Sequence, residues 1–303
     1  MSPAGYFAQG GAPRPRLAAP PRCPFCGVPG TYIKATDGAP RSRLGPRGLP
    51  EPLLSALAPL RVAPGMARLR AVLFDAFGTL LDPGGLHVEA TALILSELGL
   101  AGQLDPEELH ERWDEHIMAL WRDGRFMGTW ELFRTALEAA LGDLGVEVPA
   151  RELDVSTDIL SRTFLRTRLH EGARELLAFC RSLGLRTGII SDADSALLRS
   201  LLEKHGLLPL LDVVIISDEV GLLKPDPRVF DAALRAIGCG AEEAMMVGDA
   251  RRDVEGAKRA GMRAVLVLRA GKEPPELDAE PDIVVGSLPE LRGPIAALTR
   301  PIS

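Results

Sequence analysis

Asp75, Ser191, Lys224, Asp249 and Asp253 each follow an apolar run or open the helix after one. In open parallel sheets ligands bind at the carboxyl ends of the strands, so these residues converge on one rim if the runs share a sheet. Three converging carboxylates repel one another unless a cation joins them, and an all-oxygen set suits octahedral Mg²⁺. Lys224 adds a fixed positive charge. Ser191 adds a hydroxyl and backbone amides at a helix start, the groups that hold a phosphoryl oxygen. Together they describe a nucleophilic carboxylate, its metal and its anion clamp. Taken singly, an Asp after an apolar run is as readily a turn residue or a helix cap.

The elements that must position them alternate. Arg70-Ala-Val-Leu-Phe-Asp75 reads as a strand covered on both faces, which turns at once on Gly78-Thr79. Further strands are predicted over 186–192, 213–217, 244–249, 264–268 and 282–285, with helices over 173–183, 195–205, 228–237 and 254–260 between them. That rhythm gives parallel βαβ units and an α/β, doubly wound parallel sheet. Asp226 is placed as the cap of the helix after Lys224. Residues 83–169 are helical with no strand, and Asp105-Pro106-Glu107-Glu108 marks one helix start within them. Trp113, Trp121 and Trp130 all lie in this block, where core packing is their expected role and a substrate wall the alternative.

Composition bounds the class. The net charge of −6 divides into +6 over residues 1–65 and −12 over the rest. The first segment is rich in Pro, Gly and Arg and has no sustained period, so it is expected to be a disordered leader or an over-long start before Met66. Cys23-Pro-Phe-Cys26 lacks the second pair of a zinc ribbon, and the spread arginines lack the interleaved aromatics of a nucleic-acid surface. No apolar run is long enough to span a membrane, and no secretory signal opens the chain. The four cysteines are too scattered for a disulfide framework, so a cytoplasmic location is expected, with Cys180 and Cys239 as inert packing residues.

With these residues in view, the chain resembles the haloacid dehalogenase-like hydrolase superfamily. Asp75-Ala-Phe-Gly-Thr-Leu matches its first motif, Ser191 its second, Lys224-Pro-Asp-Pro its third and Gly248-Asp249-Ala-Arg-Arg-Asp253 its fourth. The four occur in order, each in its strand context. The resemblance implies a Rossmann-like core from residues 66–82 and 170–303, with 83–169 as an inserted α-helical cap. It implies that Asp75 attacks the substrate and forms a covalent aspartyl intermediate that water hydrolyses, with Lys224 in the catalytic set. Thr79, Ser191, Asp192 and, from the cap, Arg122 are the expected substrate contacts. Asp75, the backbone carbonyl of Phe77, Asp249 and Asp253 are the expected Mg²⁺ ligands.

Two departures bear on the chemistry. The family's phosphatases usually carry a second Asp two residues after the nucleophile as general acid and base, whereas here that residue is Phe77. An aromatic there is the pattern of the haloacid dehalogenases, whose halide leaving group needs no proton. Those enzymes, however, resemble metal-free sites with Ser and Asn in the fourth motif, where this chain has Asp249 and Asp253. Asp192 also stands where Asn is commoner, adding negative charge near the anion site unless it points away. Weighing the carboxylates more heavily gives a Mg²⁺-dependent phosphatase for a small phosphorylated metabolite. Without a positioned acid, worth roughly 10²–10⁴-fold, it should favour activated acyl or aryl phosphates, or borrow an acid from His87, His110, His116 or Arg122. A 2-haloacid dehalogenase using Asp75, and a low-turnover metal- and phosphate-binding module, are the alternatives. A Schiff-base phosphonatase is excluded, since no lysine occurs between Lys34 and Lys204. The expected partner is a small phosphorylated molecule, with no nucleic acid and no membrane, for a monomer or homodimer.

Overall fold

A computed structural model of the chain describes residues 67–123 and 125–299. The expectations for residues 1–65, including Cys23 and Cys26, lie outside the described residues. A six-stranded parallel sheet forms the core, built from β1 (Ala71–Phe74), β4 (Arg186–Ser191), β5 (Val213–Ile216), β6 (Ala244–Gly248), β7 (Arg263–Val267) and β8 (Ile283–Val285). Its order is β5-β4-β1-β6-β7-β8, which puts β1 between β4 and β6.

Every residue of β1 is buried, because alternate side chains enter cores on opposite faces. Val72 and Phe74 join one cluster with Leu176 and Leu177 of α5 (Ala173–Ser182), Leu198 and Leu201 of α6 (Ser195–Lys204) and Ile295 of α10 (Arg292–Thr299). Ala71 and Leu73 join the other, with Val229 and Phe230 of α8 (Pro227–Ile237) and Val254 and Ala257 of α9 (Arg251–Arg259). This is the doubly wound α/β arrangement read from the alternation. No described helix is long and apolar enough to cross a membrane.

Four helices separate β1 from β4: α1 (Leu86–Glu97), α2 (Pro106–Arg122), α3 (Thr129–Asp143) and α4 (Ala150–Phe164). Helix α2 begins as its sequence dictates, with Asp105 accepting a hydrogen bond from the Glu107 amide at 2.8 Å and Pro106 in the first turn. The chain enters and leaves the helical cap through a short antiparallel pair, β2 (Leu81–Asp82) with β3 (Arg168–Leu169). The cap meets the core again where the amide and hydroxyl of Thr129 donate to Asp218 Oδ1 at 3.2 and 3.1 Å. Asp218 belongs to a one-turn helix, α7 (Ser217–Val220), where the sequence pattern had continued a strand through Ser217.

His170 follows β3, and its amide donates to the Leu80 carbonyl at 2.9 Å. Burial, then the charge of Arg269, push its imidazole down to about 4, although Asp82 opposes them. A histidine held below its unfolded value supports folding above the unfolded pKa, and that support is lost as pH falls from about 6.5 towards 4. After a discount for its partial exposure, His170→Gln should flatten the loss of stability between pH 7 and pH 5 by about 1 kcal/mol. Urea midpoints at the two pH values measure this directly. Equal slopes for both proteins would remove His170 as the cause.

Candidate active site

The parallel register brings the polar tips together. Phe74 lies beside Ile189 of β4 and Val247 of β6, so Asp75, Ser191 and Asp249 emerge from adjacent strands within two residues of that level. The Asp75 amide donates to the Val247 carbonyl at 2.9 Å, extending the ladder by one step. Asp253 lies in the first turn of α9, which starts earlier than its apolar pattern suggested, and its Oδ2 accepts from the Ala250 amide at 3.1 Å. Acidic residues in the first turn of a helix complement its dipole.

Lys224 comes from the loop before α8 and is fully engaged. Its Nζ donates to Asp75 Oδ1 and Asp253 Oδ1, both at 2.6 Å, and to the Ile190 carbonyl at 3.2 Å. Asp226, two residues on, accepts from the Arg228 amide at 2.9 Å and caps α8. Asp249 accepts from Thr79 Oγ1 at 3.3 Å and from Lys272 Nζ at 3.2 Å. Thr79 is completely buried, so its hydroxyl ties the turn after Asp75 to Asp249. The turn itself requires glycine: Gly78 has φ +86°, and a Cβ there would stand 2.4 Å from Asp249 Oδ2.

Oxygen atoms of Asp75, Asp249 and Asp253 all lie within 4.8 Å of one another. This buried, all-oxygen donor set fits a hard divalent cation. Burial raises Asp75 to about 7 against the pull of Lys224, with Asp253 and Asp249 raising it further. Burial likewise raises Asp249, although Lys272 opposes it. Burial alone would lower Lys224, but the charges of Asp253 and Asp75 prevail and hold it protonated above its usual range.

Ser191 is buried, and its Oγ has no hydrogen-bond partner among the described residues. An unsatisfied hydroxyl at the end of the strand next to that of Asp75 suits an anionic ligand, since buried polar groups are normally paired. Asp192 does not leave a bare charge there. Its Oδ1 accepts from the Lys224 amide at 3.0 Å, and its Oδ2 lies 3.0 Å from Arg252 Nε. Arg122 is not brought to the cluster: it is exposed at the end of α2 and donates to the Met118 carbonyl of its own helix at 3.2 Å. One position earlier on the helix, Trp121 faces inward, with the Arg252 guanidinium 4.5 Å from its ring centroid. His116 is likewise outside, 2.9 Å from Asp143.

Sequence reasoning missed Arg252, Arg269 and Lys272. Arg252 stands inside the fourth motif, directly before Asp253. Arg269 donates to the Gly78 and Thr79 carbonyls, the latter at 2.8 Å, and so braces the turn beneath Asp249. It follows β7 by two residues, and the strand-end rule that singled out Asp249 could have flagged it.

A cleft opens between the core and the cap. Its walls include Phe77, Trp121, Met127, Trp130, Phe133 and Phe164, with Asp192 and Ala193 on the core side. Phe77 is nearly buried, and its ring lies 6.2 Å from that of Phe164. His87 meets the edge of Phe164 at 4.6 Å between centroids. Trp113 packs in the core, as expected of all three tryptophans, and its Nε1 donates to the Phe133 carbonyl at 2.8 Å. Trp121 and Trp130 are only partly buried and face the cleft.

The profile of the haloacid dehalogenase-like hydrolases matches residues 69–261. The chain belongs to this family. Among curated relatives of this hydrolase, a phosphoserine phosphatase of Thermus thermophilus is 42% identical over 161 residues, which cover 53% of this chain and 62% of the relative. The chain therefore spans less than two thirds of that enzyme's length. An (S)-2-haloacid dehalogenase of a Pseudomonas species is 30% identical over 220 residues, covering 68% of this chain and 88% of that protein. A solved phosphatase of the same family from Thermococcus onnurineus superposes with a TM-score of 0.54 at 28% identity, covering 75% of this chain and 98% of its own. The hydrolase is an enzyme of the class that contains both phosphatases and dehalogenases.

Proposed function

We propose that this hydrolase is a Mg²⁺-dependent phosphatase of small phosphorylated molecules, working through a phosphoryl group carried on Asp75. The observation that carries the reading is the triad of carboxylates within 4.8 Å of one another, with the Ser191 hydroxyl, unpaired among the described residues, at the end of the strand next to that of Asp75. Asp75, Asp249 and Asp253, with the backbone carbonyl of Phe77, would hold the cation, which supplies charge neutralisation to the transferring group. Ser191 serves the phosphoryl oxygens, Lys224 holds Asp75 and Asp253 and offsets their charge, and Thr79 keeps Asp249 in place. Asp75 attacks phosphorus, the bond to the leaving oxygen breaks, and water then cleaves the acyl phosphate. Phe77 offers no proton to the departing oxygen, which favours acyl and aryl phosphates.

Phe77 also supports a second reading, a 2-haloacid dehalogenase in which Asp75 displaces halide, and relatives of both kinds match the chain. The deciding experiment measures phosphate release from acetyl phosphate and an aryl phosphate, and halide release from a 2-haloacid, with Mg²⁺ and with chelator. Phosphate release that chelator abolishes and Mg²⁺ restores is the expected result. Halide release that ignores chelator, without phosphate release, would replace the reading with the dehalogenase. Tight Mg²⁺ and phosphate binding with neither product would leave a binding module.

A further inference from the structure

The cleft against Phe77 is more specific than a phosphatase reading alone requires. Phe77, Trp121, Trp130, Phe133 and Phe164 supply five aromatic walls, and Met127 a sixth side chain that adapts to a guest's shape. No Lys or Arg lines it among the described residues, and the His87 imidazole that does is set against the edge of Phe164, so a carboxylate substituent would meet no fixed countercharge. Arg252, behind Trp121, is held by that ring and by Asp192. The acids on the core side are also committed: Asp192 to Lys224 and Arg252, and Asp194 Oδ1 to the Leu197 amide at 2.7 Å, where it caps α6. Polar groups near the cleft are paired too: Thr129 donates to Asp218, and the Ser217 hydroxyl accepts from the Ala193 amide at 3.0 Å.

Phe77 and Asp192 are shared between the cleft and the carboxylate rim, since each follows a strand that ends there. A guest in the cleft would therefore lie next to the strand ends that carry Asp75 and Ser191. A second apolar hollow, sharing His87, Trp121, Phe133 and Leu160 with the first, extends the same surface into the cap.

We infer that the cleft binds the leaving group of the substrate and selects an uncharged aromatic one, so that the substrate class is an aryl or aroyl phosphate. This rests on the phosphatase reading and deepens it. The two features agree chemically. When Asp75 takes the phosphoryl group, the electrons of the broken P–O bond leave on a phenolate or carboxylate, each stable without a proton, which is what a site with Phe77 in place of an acid needs. A phosphorylated amino acid or triose offers neither the apolar area nor so good a leaving oxygen.

The test uses the full chain with Mg²⁺ and separates binding from turnover. Acetyl, butyryl and benzoyl phosphate hold leaving-group acidity nearly constant while apolar area grows, so kcat/KM should climb by about tenfold or more across the series. Phosphoserine should be the poorest substrate. Phenylphosphonate and methylphosphonate, which are not hydrolysed, report binding through quenching of the tryptophans. The phenyl compound should bind about tenfold or more tightly, and Trp130→Ala should shrink both ratios. Equal affinity for the two phosphonates, or a preference for phosphoserine, would overturn the inference. Absence of phosphate release from every substrate, with phenylphosphonate still bound more tightly, would instead refute the phosphatase reading and leave the aromatic cleft standing.

Discussion

Asp75→Asn should abolish turnover and at the same time make the protein more stable. The substitution keeps the shape and leaves an amide oxygen for Lys224 Nζ, which now lies 2.6 Å from Asp75 Oδ1, but it removes the carboxylate proposed as nucleophile. Loss of a nucleophile that acts with a unit of other groups typically removes several orders of magnitude of rate. The stability argument runs the other way. Burial, together with Asp253 and Asp249, raises Asp75 to about 7 despite Lys224, so its ionised form is a cost that the fold carries. A carboxyl whose folded pKa is raised supports folding below its unfolded value, and that support disappears as pH rises through the folded one. In chelator, the variant should therefore gain on the parent between about pH 4 and pH 7 and hold a lead of order 1–2 kcal/mol above that window. Thermal unfolding at pH 5 and pH 8 reads the difference. A variant less stable than the parent at pH 8 would mean that the Lys224 pairing outweighs the cost of burying the charge.

What the sequence made legible follows the strand-end rule. Asp75, Ser191 and Asp249 were readable because each is the first polar group after an unmistakable apolar run, and Asp253 because it lies in the first turn of the helix after one; a parallel sheet leaves little choice about where such groups meet. Lys224 was readable in another way, from the Lys224-Pro-Asp-Pro stretch that leads into α8, although its contact with Asp75 spans 149 positions. Arg122 failed because helix phase turns by about 100° per residue, and an apolar pattern locates a stripe without fixing which neighbour faces a cleft. Trp121 faces inward, and Arg122 points to solvent. Arg252 and Lys272 were hidden differently: each reaches the site with a long side chain, so its chain position says little about its charged end. The cleft was the least legible feature. Phe77, Trp130, Phe133 and Phe164 carry the same periodic signature whether they close a core or line a cavity, and only packing decides between the two.

Phe77→Asp should change which substrates the enzyme accepts. The residue lies two positions beyond Asp75, where phosphatases of the family carry an acid, and its ring occupies the boundary between the carboxylate rim and the cleft. A carboxyl at this position can protonate a departing alkoxide, a contribution of roughly 10²–10⁴-fold. Alkyl phosphates should therefore gain about 10²-fold in kcat/KM, while acyl phosphates, whose leaving groups need no proton, gain nothing. Benzoyl phosphate should lose, because the ring opposite Phe164 at 6.2 Å is gone. The price is stability, since removing a buried phenyl and setting a carboxyl in its place costs about 3 kcal/mol or more. Phe77→Asn carries the same packing defect without a titratable proton, so the comparison of Asp with Asn isolates acid catalysis from shape. A gain confined to Asp, with an acid-side dependence that Asn lacks, is the expected result. Equal rates for the two on alkyl phosphates would show that proton delivery is not what this site is missing, and that any preference for activated leaving groups comes from the aromatic cleft alone.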